Sequence, residues 1–258
     1  MNVLDMFSLK GKTALLTGGA GLYGRQMAQA LCEAGAEVYI ASRNLEKLQA
    51  EAERIGATPL RLDLDSDESI AATVAQIEKR SGKIDILVNN AVSRCACNAW
   101  ADNMPHFDRS LHTNASSTFV LTKRVSEIMK KQRSGSIINI ASYMGLLGPN
   151  PLNYTGTDMF SFDTVSPIYF YEKGGLVNFT RFAASVLGHW NIRVNCIAPG
   201  GFYSGQPDAF VRQYSANTML GRLAGDDDMK GILVFLASGA SAYLTGTVIP
   251  VDGGYTAK

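Results

Sequence analysis

Tyr169 and Lys173 stand four residues apart in "IYFYEKGG" (168–175), and of the ten tyrosines only Tyr169 has a lysine at that distance. On a helix this spacing stacks both side chains on one face. A lysine cation beside a phenol favours the phenolate, and a phenol tuned in this way exchanges protons near neutral pH. Bringing a tyrosine from a pKa of about 10 to near 7 takes about 4 kcal/mol of differential stabilisation. The sequence offers a second source of positive potential. Ser166 and Pro167 read as a helix start, which places Tyr169 in the first turn, near the positive end of the helix dipole. A plain surface contact between tyrosine and lysine has the same spacing, so the pair needs partners before it carries a reaction.

A second stretch with chemical content is "TGGAGLYG" (17–24), which comes after an apolar run and opens a helical one. Glycines there let the backbone approach an anion, and the helix start presents free N–H groups to it. Gly18, Gly21 and Gly24, with Leu22 and Tyr23 between them, are therefore candidate phosphate-binding positions. The next strand ends "ASRN" (41–44). An acid at this place holds the ribose 2′-hydroxyl of NAD. Here Ser42 takes the usual acid position with Arg43 next to it, a neutral group and a guanidinium that suit a 2′-phosphate. NADP(H) is the favoured cofactor. NAD(H) stays possible, because Arg43 stacked on the adenine serves either.

These residues need elements to position them. "TALLT", "EVYIAS", "TPLRL", "IDILVNN", "SIINIAS", "IRVNCIAP" and "TVIPVDGG" read as strands. Helical patterns separate them, with Asn44 and Ser66 as N-caps and Gly35 and Gly56 as stops. Long helices are expected over about 105–131 and 167–188, and another near 226–238. Strands apolar throughout are buried on both faces, and strands separated by helices run parallel. The expected fold is α/β: one doubly wound domain over 1–258, a parallel sheet of about seven strands with helices on both faces. The stretch 145–166 has no period and is rich in Gly, Pro, Asn, Thr and aromatics. A loop this long inside a compact domain is usually functional. It and the segment 201–225 are expected on the substrate side.

In its motifs the chain resembles the short-chain dehydrogenases/reductases, almost from end to end. Their turn reads TGxxxGxG; here Thr17, Gly18 and Gly24 match, and Leu22 replaces the middle glycine. A leucine there is expected to turn toward the sheet if the pyrophosphate is to approach. "NNA" (89–91) matches the family's NNAG, with Val92 in place of its glycine. The resemblance implies a catalytic set. Ser142 orients the substrate oxygen, Tyr169 is the acid/base, Lys173 supports it and grips the nicotinamide ribose, and Asn114 supports a water relay behind the lysine. It also implies cofactor contacts at Asp63 and Leu64, at Asn90 and Ala91, at Ile197, Pro199 and Gly200 in "APGGF", and at Ser204 in place of the usual threonine.

The activity implied is that of an oxidoreductase, transferring a hydride between nicotinamide and a carbonyl or secondary alcohol. The N-terminal "FSLKGKTALLTGG" is similar to members acting on sugar acids and polyols, the gluconate 5-dehydrogenase branch among them. Asn150, Asn153, Tyr154, Thr155, Thr157 and Asp158 are expected to hydrogen-bond a polyhydroxylated substrate. A 3-oxoacyl thioester reductase is the competing choice, although no clear basic surface for a carrier arm is visible. A non-catalytic dinucleotide sensor on the same fold is a different class, supported by Leu22 and Val92. A sugar-nucleotide epimerase also uses Tyr-x-x-x-Lys but carries a further domain, for which 258 residues leave little room.

The remaining features narrow the partners. A net charge of +1 argues against nucleic acid or an anionic membrane surface. No apolar run reaches membrane-span length, and the N-terminus does not read as a signal peptide. Four cysteines do not form a disulfide framework in a chain of this size, which suggests a reducing cytoplasm. Cys95 and Cys97 are too closely spaced for a zinc knuckle, so no metal is expected. By the resemblance, the chain assembles as a homotetramer or homodimer through the long helices.

Overall fold

In the computed structural model residues 2–93, 100, 103–159 and 166–258 are described. The apolar runs become β1 (Thr13–Thr17), β2 (Glu37–Ser42), β3 (Thr58–Arg61), β4 (Ile86–Asn89), β5 (Gly135–Ile140), β6 (Ile192–Pro199) and β7 (Val248–Val251). All pair in parallel, in the order β3-β2-β1-β4-β5-β6-β7. The order reverses between β1 and β4, so a crevice opens there at the carboxyl ends of the strands. The helices between them are α1 (Leu22–Glu33), α2 (Leu45–Ile55), α3 (Asp67–Ser81), α4 (Met104–Leu111), α5 (Ser117–Gln132), α6 (Pro167–Leu187), α7 (Asp208–Asn217) and α8 (Lys230–Ala237).

Successive strand residues face opposite sides, so the sheet has two cores. Leu15 and Ile137 meet α3, α5 and α6 through Val74, Val125 and Leu187. Leu16 and Ile138 meet α1, α2 and α8 through Met27, Leu48 and Leu233. Helix ends obey the expected chemistry. Asn44 and Ser66 accept from the backbone N–H groups of Lys47 and Ser69, and Gly56 ends α2 at φ 75°.

Three elements differ from the sequence expectation. The helical stretch at 105–131 is α4, one π turn (His112–Ser116) and α5. A π turn inserts a residue and re-aims the side chains around it, and here that turn carries Asn114. α7 lies inside the segment 201–225, where the sequence pattern marks no helix. Its Phe210 and Tyr214 pack with Tyr143 and Tyr255, so tertiary burial rather than a strong sequence signal accounts for it. The stretch 145–166, as far as 159, is not formless. Pro151–Tyr154 makes a 3-10 turn capped by Asn150.

Among the described residues no group of three His, Cys, Asp or Glu is placed to hold a metal, and no helix is long and apolar enough to cross a membrane. Cys95 and Cys97 lie outside the described residues.

Candidate active site

The turn after β1 is built around two glycines. Gly18 has φ 72°, and a Cβ on it would lie 2.9 Å from Asn90 Nδ2. A Cβ on Gly24 would lie 2.1 Å from the Gly18 carbonyl oxygen, closer than any real contact. Leu22 takes no such strained role. It is the first residue of α1, with helical backbone that any residue adopts. The expectation that its side chain turns toward the sheet is not met: Leu22 is 46 % exposed and lines the cleft. The glycine requirement falls on Gly18 and Gly24, which leaves room for a side chain at 22.

Asn90 braces this turn from β4. Its Nδ2 donates to the carbonyls of Thr17 and Gly18 at 2.9 and 3.2 Å, while the N–H groups of Asn90 and Ala91 donate to Thr17 Oγ1. Asn89 works behind the site. Its amide donates to Thr122 Oγ1 and Asn139 Oδ1, and Asn139 donates to Thr180, a buried chain that ties β4 and β5 to α5 and α6.

At the end of β2, Ser42 Oγ donates to the Asn44 carbonyl. Arg43 lies 3.8 Å from Asp65 with 62 % of its side chain exposed. An exposed pair of this kind contributes about 0–1 kcal/mol, so the guanidinium is weakly held. Tyr23 reaches across the cleft, its hydroxyl donating to the Gly200 carbonyl at 2.8 Å. Burial pushes that phenol far above its ordinary pKa, so it remains a donor.

At the other end, Ser142 comes after β5 and starts a 3-10 turn. The turn packs on α6 because Gly145 has no side chain: a Cβ there would lie 2.6 Å from the Lys173 carbonyl oxygen. This contact sets the distance from Ser142 to α6. Pro167 opens α6, and Tyr169 falls in its first turn, as the sequence implies. Lys173 is buried. Its Nζ donates to the Ile140 carbonyl at 2.8 Å and lies 5.6 Å from the centre of the Tyr169 ring.

One cleft of about 840 Å³ joins the two ends. Its walls include Gly18, Gly21, Leu22, Tyr23, Gly24, Ser42, Arg43, Asp63, Leu64, Asn90 and Ala91 on the turn side. Ser142, Tyr169, Lys173, Pro199, Gly200 and Ser204 complete it. Two expected residues are not on the wall. Ile197 is wholly buried in the core beside Ile138 and Ile140, because the pleat of β6 turns its side chain inward. Asn114 sits one layer back, its Oδ1 accepting from Ser93 N–H and its Nδ2 donating to the Ser93 carbonyl and to Glu172 Oε2.

The loop residues expected to bind a polyhydroxylated substrate are mostly committed elsewhere. Asn153 is buried between Tyr255 Oη and Asn217, Asn150 caps its own turn, and Thr157 bonds the Tyr154 carbonyl. Of that set only Tyr154 lines the cleft, with Met159 farther along the same loop. Sequence reasoning misses Ser166, Gln206 and Glu172 on the wall. The Ser166 hydroxyl is buried and has no hydrogen-bond partner among the described residues. Its one sequence signal is its place before Pro167, which marks only a helix start.

The arrangement can bind a dinucleotide phosphate at the glycine turn and exchange a proton at Tyr169. Residues 22–256 match the family described as Enoyl-(Acyl carrier protein) reductase. The chain is 33 % identical to the uncharacterized oxidoreductase YgcW of Escherichia coli K12, over 99 % of this chain and 96 % of that protein. It is 31 % identical to a 3-oxoacyl-[acyl-carrier-protein] reductase of Thermotoga maritima, over 95 % and 98 %. The structure of a gluconate 5-dehydrogenase from Burkholderia cenocepacia, in complex with NADP and tartrate, superposes with a TM-score of 0.87 at 30 % identity, covering all of both chains. This chain belongs to the short-chain dehydrogenase/reductase family and is an oxidoreductase.

Proposed function

We propose that this oxidoreductase interconverts a secondary alcohol and a carbonyl on a small polar substrate of the sugar-acid or polyol class, with NADP(H) preferred over NAD(H). The observation that carries the reading is the single cleft with the glycine turn at one end and Ser142, Tyr169 and Lys173 at the other. Support for the cofactor comes from the close packing at Gly18 and Gly24, which lets the backbone of the turn line the cleft at the start of α1, beside Leu22 and Tyr23. Gly18, Gly21 and Gly24 would hold its phosphates, Arg43 a 2′-phosphate, and Asp63 and Leu64 the adenine end. When bound, the nicotinamide supplies or accepts the hydride.

The chain's own residues handle the proton. Ser142 fixes the substrate oxygen, and Tyr169 gives it a proton in reduction or takes one in oxidation. Lys173, held by the Ile140 carbonyl, keeps a cation beside the phenol and stabilises its anion. The first turn of α6 adds dipole potential of the same sign. Tyr23 and Tyr214 fix the segment after β6, through the Gly200 carbonyl and the Gly201 N–H.

Two points support a polar substrate. The similar gluconate 5-dehydrogenase structure holds tartrate, and this cleft offers the Ser166 hydroxyl, which has no hydrogen-bond partner among the described residues. The similar 3-oxoacyl reductase keeps an acyl thioester as the alternative. Phe119, Phe179 and Phe182 form a row of rings across α5 and α6, with Phe119 and Phe182 half exposed or more. That row supports a homotetramer or homodimer through these helices. The free thiols of Cys32 and Cys196 are compatible with a reducing cytoplasm.

The test is titration with NADPH and NADH, then turnover on a panel of sugar acids, polyols, their oxidised forms and 3-oxoacyl thioesters. Tyr169→Phe keeps the shape and removes the proton. Its kcat should fall by about 10²–10⁴ with cofactor affinity unchanged. Near-normal turnover in that variant would refute the mechanism. Activity on thioesters alone would replace the substrate class.

A further inference from the structure

Directly before Lys173 stands an acid, Glu172, and α6 buries it to 8 % exposure. Both carboxyl oxygens are engaged. Oε1 accepts from Ser110 Oγ at 2.7 Å, and Oε2 accepts from Asn114 Nδ2 at 3.1 Å. Asn114 is itself clamped, because the Ser93 N–H binds its oxygen and the Ser93 carbonyl accepts from its nitrogen. That clamp fixes the amide so that its N–H points at Glu172. The π turn around Asn114 is what brings this residue of the α4–α5 helix onto α6.

A buried carboxylate is costly unless it is hydrogen-bonded and paired, and Ser110 and Asn114 supply hydrogen bonds to both oxygens of this one. No arginine or lysine salt bridge to it is seen among the described residues. Among them Lys173 is the charged group that acts on it. The groups facing it from α4 and the π turn are Ser110 and Asn114, which do not titrate. Burial holds the Glu172 carboxyl above its usual range, opposed by Ser110, Asn114 and Lys173. Ser93, Ser110, Thr113, Glu172 and Lys173 all line the same cleft. A polar pocket behind the lysine therefore ends on an acid of raised pKa.

We propose that Glu172 is a proton-relay and positioning residue that acts on Tyr169 through Lys173. This rests on the oxidoreductase reading above. In alcohol oxidation the substrate hydroxyl proton goes to the Tyr169 phenolate. Lys173 gives one ammonium proton to the Glu172 carboxylate, through water in the cleft, and takes the Tyr169 proton in its place. The phenolate and the ammonium are restored, and the net step moves one proton from the substrate oxygen to the Glu172 carboxyl, which releases it to solvent. No electrons move in this step. Carbonyl reduction runs the same path backwards.

Only the carboxylate accepts a proton, so oxidation should rise with pH through the Glu172 ionisation, and reduction should fall through it. Ser110 donates to the charged form and lowers this pKa. Ser110→Ala should therefore move that limb of the profile to higher pH.

The experiment is the pH profile of kcat and KM for the full-length protein, Glu172→Gln, Glu172→Asp and Ser110→Ala, with the carbonyl or alcohol found active on the panel. Expected are loss of the limb in Glu172→Gln, a kcat lower by about tenfold, below the 10²–10⁴ of direct acid–base groups, unchanged KM and cofactor affinity, and partial recovery in Glu172→Asp. An unchanged profile in Glu172→Gln overturns the proposal. If that variant does not fold, an unmoved limb in Ser110→Ala overturns it. Wild-type turnover without these effects sinks this inference alone, whereas no wild-type turnover on any compound sinks the oxidoreductase reading beneath it.

Discussion

Gly24 and Gly21 stand three residues apart in the same turn, and they should respond to alanine in opposite ways. A Cβ at Gly24 would sit 2.1 Å from the Gly18 carbonyl oxygen and 3.1 Å from Asn90 Nδ2. An ordinary carbon–oxygen contact is roughly 1–1.5 Å longer than the first of these, because the dispersion minimum lies at about 3.5 Å. The start of α1 must therefore retreat from the turn by about 1 Å. That oxygen also accepts from Gly21 N–H at 3.0 Å and from Asn90 Nδ2 at 3.2 Å. Losing or bending these bonds costs about 0.5–1.5 kcal/mol each, and overpacking adds about 1–3 kcal/mol. The sum is about 2–6 kcal/mol, a fall in Tm of roughly 4–24 °C at this chain length. Cofactor binding should weaken by about 10–100-fold, since the displaced helix start loses a hydrogen bond to a charged group, about 1.5–3 kcal/mol. Gly21→Ala is the control. Its Cβ meets the same oxygen at 3.2 Å, and its φ of −78° suits alanine. Its Tm should stay within about 3 °C, because a few tenths of an ångström of overpacking costs less than about 1 kcal/mol. Fluorescence titration with NADPH and a thermal melt read both quantities. Equal damage in the two variants, or full binding by Gly24→Ala, would refute the argument from close approach.

The other predictions concern the adenosine end and the helices. Arg43→Ala should weaken NADPH by about tenfold, in keeping with one charge-assisted hydrogen bond, and leave NADH nearly unchanged; equal effects on both would assign Arg43 to the adenine instead. Phe182→Glu places a charge in the exposed ring row on α6, so light scattering should report a smaller assembly at equal concentration. An unchanged mass would remove that row from the interface. Asp228 is held below the usual carboxylate pKa, chiefly by its bond from Arg222. A lowered folded pKa gives stability that is present above the ordinary carboxylate pKa and lost as pH falls through the lowered one. Asp228→Asn should therefore narrow the gap in Tm between neutral and acid pH, by a small amount because the pair is partly exposed.

The turn, the strands and the Ser142, Tyr169 and Lys173 positions are legible in the sequence because their causes are local. A buried parallel strand is an apolar run, and a helix start carries its own cap or proline. The candidate residues sit where strands end, so finding the strands places them. What is not legible depends on contacts distant in sequence. Asn153 has the look of a substrate ligand, but Tyr255 and Asn217 claim its amide. The resemblance assigns Ile197 to the nicotinamide, but the pleat of β6 sends it to the core. α7 has a helix's length but draws its apolar partners from Tyr143, Tyr154 and Tyr255, which no local window contains. Glu172 is the sharpest case. Between an aromatic residue and a lysine on a helix it looks like solvated charge. Ser110 and Asn114, 62 and 58 residues earlier, make it a buried acid. The local signal thus marks the candidate catalytic positions, while the surroundings of Glu172 are written in pairings of α6 with α4 and the π turn that only the fold assembles.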